Sequence, residues 1–349
     1  MENKATSEYV LLIEFKALPG MNAMVEPGHV LGWDEFILSQ KTAFPALAIA
    51  SSKVAERGNA VYVRGSDFDL MFDRTSGQMT SWKSKGVERL AQGLQPDFWR
   101  FVDNEMRRFA KGNSSREWEK AGPDAQVTRF DVKAASAGEP TTIQVGYSFP
   151  EVGCTGEITY SVNGDGSIET QVKYDLSKRP KKISPPMRIG MELKLPEAFE
   201  QWQWYGLGPE PTYPDRKYEP LGIFETTVDG AWVDYSRPQE NGNHHDTRWS
   251  AFLDNGGTGI LFIGKDSPLS MGARHYSKET MFKSEYSFQM DRSEDIFVNV
   301  DLVQRGVADG WNGGVPKEFE LQAKTYAYSF LMVPITQEPI QNAVTRYFG

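Results

Sequence analysis

Hydrophobic and polar positions alternate with a period of two along most of this chain, the spacing of strands that bury one face. Ile143, Val145, Tyr147 and Phe149 fall on one side of 143-IQVGYSF-149. Ile158, Tyr160 and Val162 do so in 157-EITYSV-162, and 167-SIETQVKY-174 follows after Asn163-Gly164-Asp165-Gly166. Asn-Gly and Asp-Gly tolerate the positive φ that tight hairpins demand, so the pattern predicts a hairpin here. A second hairpin is predicted over 67-DFDLMFDRTSGQMTSW-82, with Gly77 in its turn. Further strands are expected at 259-GILFIG-264, 295-DIFVNVDLV-303 and 324-KTYAYSFLMV-333. Helical spacing is confined to short pieces such as 103-DNEMRRFAKG-112, and the charged run 106–122 reads as a solvated helix or loop. Serial strands without strand–helix alternation predict an antiparallel all-β fold.

The N-terminal part stands apart. Residues 9-YVLLIEFKAL-18 and 29-HVLGWDEFIL-38 read as two strands, and 41–57 follow without clear alternation. Two strands alone are marginal in water. Residues 1–40 are therefore either the edge of the main fold or the tail of a separate sandwich.

Composition narrows the class. The 349 residues suffice for one large domain or two ordinary ones. Basic residues number 38 and acidic residues 47, a net charge of −9 that disfavours nucleic acid and anionic membranes as partners. No window approaches the roughly 18 consecutive apolar residues of a membrane span. Met1-Glu-Asn-Lys-Ala-Thr-Ser-Glu carries no apolar signal core. A single cysteine, Cys154, excludes an internal disulfide. That suits the cytoplasm, and equally a periplasmic piece without its signal. The 9 Trp, 14 Tyr and 20 Phe fit either a β core or a carbohydrate surface.

The densest motif is 204-WYGLGPEPTYPDRK-217, where glycines and prolines prescribe an irregular path around Trp204, Tyr205 and Tyr213. With Pro238-Gln239-Glu240-Asn241-Gly242-Asn243 it resembles the C-terminal domain of the β-galactosidases of glycoside hydrolase family 2. The similarity extends over 60-AVYVRGSDFDLMFDRTSGQMTSW-82, 97-DFWRFVDNEM-106, 275-HYS-277 and 298-VNVDLVQRGVADGW-311. Upstream, 28-GHVLGWDEFIL-38 resembles the last strands of that family's immunoglobulin-like domain.

The resemblance implies a large antiparallel supersandwich of galactose-mutarotase-like type at 58–349. It implies the last immunoglobulin-like strands at 1–40 and a linker at 41–57. In the family the two catalytic glutamates lie in a (β/α)₈ barrel, and retaining hydrolysis needs such carboxylates roughly 5–5.5 Å apart. Nothing in this chain reads as that barrel. The chain is therefore expected to be a small subunit or C-terminal part, inactive alone, whose partners are a catalytic barrel and a galactoside, with a homo-oligomer possible. Catalytic residues on this chain are expected to be none, and Glu240 is read as a structural carboxylate fixing the Glu-Asn-Gly turn. Magnesium and sodium are expected in the complete enzyme, mainly outside this region, with no metal site here.

The resemblance implies substrate contacts from Trp311, in 306-GVADGWNGG-314, and from Asp103 and Asn104. An indole covers the C–H face of a sugar while carboxylate and amide groups address hydroxyls. Four departures from the family pattern stand out: the Trp311 segment is about two residues shorter, Glu105 replaces an aspartate, Phe101-Val102 replace Ala-Pro with a shortening, and Pro211-Thr212 replace Glu-Asn. Two other classes remain open, a free-standing carbohydrate-binding module and an aldose mutarotase. The latter would need a histidine acid and a carboxylate base, and the chain offers His29, His244, His245 and His275.

Overall fold

A computed structural model describes residues 7–21, 24–41, 43–47, 52–101, 116–136, 138–307 and 315–349. The chain divides into two compact units, one of residues up to Ala46 together with Gln341–Gly349, the other Leu47–Ile340.

In the first unit Tyr9–Lys16 and Val30–Ser39 pair as an antiparallel ribbon, both strands where alternation predicted them. Its apolar side chains are largely uncovered on both faces. Leu11, Leu12, Ile13, Leu31, Trp33, Phe36, Ile37 and Leu38 are exposed, and Phe15 is 63% exposed. Phe348, just beyond the Ile340–Tyr347 helix, packs edge-on against Phe44 at 6.0 Å, with the Lys41 ammonium 5.1 Å from its ring.

The second unit is antiparallel and almost entirely β. Among the described residues its strands form one nine-stranded and two five-stranded sheets. The nine-stranded sheet runs in the order Leu221–Thr227, Gln201–Leu207, Trp249–Leu253, Gly259–Gly264, Thr325–Ile335, Ile168–Asp175, Cys154–Val162, Thr141–Phe149, Gln126–Lys133. One five-stranded sheet is Asn243–Thr247, Leu269–Arg274, Ile296–Gln304, Arg188–Leu195, Gln92–Asp97. The other is a meander from Lys53–Arg57 to Val87–Glu88. Its first strand lies where the sequence showed no clear alternation.

The predicted faces pack as the period demands. Ile143, Val145, Tyr147 and Phe149 are buried, as are Ile158, Tyr160 and Val162 opposite them. The hairpin turn closes on Gly166, whose φ of 81° favours glycine. Phe98 lies within 4.7–5.4 Å of the rings of Tyr174, Phe149 and Trp118. Trp118 belongs to the run read as solvated. Residues 102–115 lie outside the described ones, but Glu117–Ala121 is a short helix that buries Trp118 and donates its indole N–H to the Ser184 carbonyl at 2.7 Å. One buried aromatic outweighs the flanking charges, because burying an indole removes far more apolar area than a turn of charged stems needs to hydrate.

Candidate functional site

The expected substrate residues Asp103, Asn104 and Trp311 all lie outside the described residues. The structure does describe the chain on either side of them, and it brings those ends together. Phe98–Phe101 leads into the first segment and Gln304–Val307 into the second. Arg100, fully buried, donates from Nη2 to the Gly306 carbonyl at 2.9 Å and from Nη1 to Gln304 Oε1 at 3.3 Å. The Phe98 carbonyl accepts from the backbone N–H groups of Met187 and Arg188, while the Arg305 N–H donates to the Met187 carbonyl. One guanidinium and one short backbone ladder therefore fix both ends at once.

The Gly/Pro-rich stretch supports the second end. Asp215 accepts from the Val307 N–H at 3.0 Å, and a Cβ on Gly306 would stand 2.6 Å from the Asp215 carboxylate, so glycine is required for this approach. Tyr213 lies 5.7 Å below the Arg100 guanidinium and donates its hydroxyl to Glu240 at 3.3 Å. Gly208 lets the backbone pass beside Trp204 and Phe224, 3.0 and 2.8 Å from where its Cβ would be.

The two halves of the motif are bonded to each other. Thr212 N–H donates to the Asn243 carbonyl at 2.7 Å, the Asn243 amide returns a bond to the Thr212 carbonyl at 2.8 Å, and the His245 N–H donates to the Thr212 hydroxyl. Asn243 Oδ1 also accepts from Gln304 at 2.6 Å and Ser270 at 3.0 Å. Asn243 thus ties 212, 270 and 304 into one polar knot.

Beneath it lies a buried charge network that sequence reading did not find. Arg188, 1% exposed, faces Asp97 at 3.2 Å, Asp301 at 3.5 Å and Glu240 at 3.6 Å. Asp97 also accepts from Lys278 at 2.5 Å and Asn299 at 2.8 Å. Glu192 accepts from Arg274 at 2.6 Å. Burial works to lower the Arg188 pKa, but Asp301, Asp97 and Glu240 raise it beyond its usual value. Burial raises the Asp301 carboxyl well above the ordinary carboxylate range, against the opposing pull of Arg188. No hydrogen bond reaches either Asp301 oxygen among the described residues, and a Cβ at Gly190 would lie 1.8 Å from Oδ1. Glu240 holds more than the turn it was read as fixing: it links Tyr213 to Arg188, while Asn241 accepts from the Val233 N–H.

Two of the histidines are buried and each is held by its neighbours. His244 is buried against Trp204, ring centroids 4.0 Å apart, and burial lowers its pKa to about 3. It therefore stays neutral and structural. His275, buried, bonds Glu200 through Nε2 at 2.7 Å and the Ser293 carbonyl through Nδ1 at 3.0 Å. Ligand atoms of Glu200, Asp229 and His275 lie within 4.8 Å of one another. Arg292 bridges Asp229 at 3.0 Å and Glu197 at 2.6 Å, so this cluster is closed by its own counter-ion.

The family described as β-galactosidase small chain matches residues 64–332, which include every element of the clamp and the network. The chain belongs to that family. The resemblance drawn from the two motifs is thereby borne out. A β-galactosidase of Priestia megaterium is 28% identical over 346 residues, covering 96% of this chain and 32% of its own. One from Lactobacillus delbrueckii subsp. bulgaricus is 28% identical over 267 residues, covering 75% of this chain and 26% of its own. This small-chain member thus spans about a third or less of the length of these relatives. Among solved structures a galactose 1-epimerase from Lactobacillus acidophilus aligns over 84% of this chain and all of its own, at 8% identity and a TM-score of 0.48.

Proposed function

We infer that this chain forms one wall of the galactoside site of a β-galactosidase whose catalytic carboxylates reside on a separate barrel. The observation that carries the reading is the Arg100 clamp within a β-galactosidase small-chain match. The described residues that precede the segment bearing Asp103 and Asn104 and those that precede the segment bearing Trp311 are bonded to each other through Arg100. Such support lets side chains from distant parts of the sequence address one ligand. Trp311 stacks on the sugar, and Asp103 and Asn104 bond its hydroxyls. Magnesium and sodium belong to the barrel side of the site. Hydrolysis with retention proceeds on the barrel's glutamates, and this chain contributes binding and exclusion of water rather than a proton.

The uncovered ribbon supports the same reading. A two-stranded ribbon with apolar side chains on both faces is an interaction surface, and the barrel-bearing chain is its partner. Neither His244, locked neutral behind Trp204, nor His275, bonded to Glu200 and Ser293, lends support to the mutarotase reading.

With the barrel chain supplied, Trp311→Ala is expected to raise KM for a chromogenic β-galactoside by about tenfold, the loss of one well-packed sugar–aromatic contact. Asp103→Ala and Asn104→Ala raise it less. Unaltered kcat/KM in all three variants would exclude the wall.

A further inference from the structure

The surface carries a second aromatic feature that the clamp and the network do not use. Tyr286 and Phe288 lie in the turn around the short helix Ser287–Gln289, their rings nearly parallel at 6° with centroids 5.7 Å apart. Phe288 is 83% exposed and Tyr286 37%. Exposed aromatic rings ordinarily sample several rotamers, but the backbone beneath this pair is fixed. Gln289 Oε1 accepts from the N–H groups of both Glu285 and Tyr286 at 2.9 Å, and the Ser287 N–H donates to the Ser236 carbonyl at 3.1 Å. The Arg237 guanidinium sits 5.3 Å from the Tyr286 ring and pairs with Glu285 at 3.5 Å.

We propose that the Phe288–Tyr286 pair is a saccharide-stacking surface that takes a β-linked galacto-oligosaccharide, with Arg237 and Glu285 bonding its hydroxyls. β-Galactose shows C3–H, C4–H and C5–H on one side, an apolar patch the size of one ring, and hydroxyls around its edge. The pair matches that division: parallel π faces at about one sugar's spacing, rimmed by a cation and a carboxylate. A protein partner fits less well. Two fully covered aromatic side chains bury about 150–250 Å² each, against about 800 Å² per side in a stable interface. The neighbouring Glu279 and Lys283 are exposed charges paired with each other, which a protein would have to desolvate. This inference rests on the preceding reading and deepens it by adding a sugar contact at residues other than Trp311, Asp103 and Asn104.

The test is a titration of the full chain with linear β-1,4-galactotetraose, followed by ligand-observed NMR, for the wild type, Phe288→Ala, Phe288→Trp and Trp311→Ala. Phe288→Ala is expected to weaken binding about three- to tenfold with an unchanged Tm, and Phe288→Trp to restore it. Equal affinity in wild type and Phe288→Ala overturns the proposal. Binding lost with Trp311→Ala alone overturns it while sparing the wall. Binding lost with Phe288→Ala alone supports it, and the wall is then judged separately from kcat/KM of Trp311→Ala with the barrel chain supplied. A concentration-dependent dimer that Phe288→Ala abolishes, without sugar binding, shows a second copy as the occupant and also overturns it.

Discussion

Arg188→Met lowers the stability of the chain by about 3–5 kcal/mol, the cost of leaving buried carboxylates without their cation. The geometry sets this expectation. Arg188 is the only guanidinium that Asp97, Asp301 and Glu240 share among the described ion pairs, and it is itself buried. Methionine fills much of the volume, so the loss is electrostatic rather than a cavity. Asp301→Asn should behave in the opposite sense, changing stability by less than about 1 kcal/mol or increasing it. Its carboxyl carries the burial penalty without a hydrogen bond, and an amide of the same shape removes that penalty. A group whose folded pKa is raised gives stability below its unfolded pKa and loses it as pH rises through the folded value. Burial raises Asp301 in this way, so the advantage of Asp301→Asn should grow with pH above the ordinary carboxylate range. Urea unfolding across that range measures both variants. Equal losses in the two would show that Arg188 does not organise the network.

Arg100→Lys disables the site without unfolding the chain. In the assembled enzyme kcat/KM for a β-galactoside should fall by about ten- to a hundredfold, the usual price of an ångström-scale misplacement of binding groups. Lysine keeps the charge but cannot reach Gly306 and Gln304 through two nitrogens of one plane. The clamp interpretation adds a sharper requirement. If Arg100 acts by placing Trp311, the double variant Arg100→Lys, Trp311→Ala should be little worse than the more severe single one. Fully additive losses would separate the two residues and dissolve the clamp.

Much of the fold was legible because its determinants are local. Alternation placed 143–149 and 157–162 correctly on one buried face, and the Asn-Gly-Asp-Gly turn closed the hairpin between Cys154–Val162 and Ile168–Asp175. The run 259–264 was legible as a strand, and both its faces proved to be buried in the middle of the nine-stranded sheet. Two features escaped. Trp118 hid within charged neighbours, where a pattern count sees polarity and not one indole. The charge network escaped altogether: Arg188 meets Asp97 across 91 positions and Arg100 meets Gln304 across 204. Such pairs obey no period, since Asp97, Arg188 and Gln304 lie on different strands of one sheet and Arg100 lies beyond the end of one. The motif at 204–217 was recognisable by its residues, but its work was not. Asp215 and Tyr213 hold the base of a distant segment, which only the tertiary arrangement discloses. The proposed substrate residues Asp103, Asn104 and Trp311 rest on the resemblance, and they lie outside the described residues.

The most direct test of the central claim is hydrolysis of a chromogenic β-galactoside by this chain alone and after mixing with a chain that carries the family's catalytic barrel. No turnover is expected from the chain alone or from the barrel chain alone, and turnover is expected from the mixture. Hydrolysis by this chain alone would contradict it, and would place the catalytic carboxylates within these 349 residues.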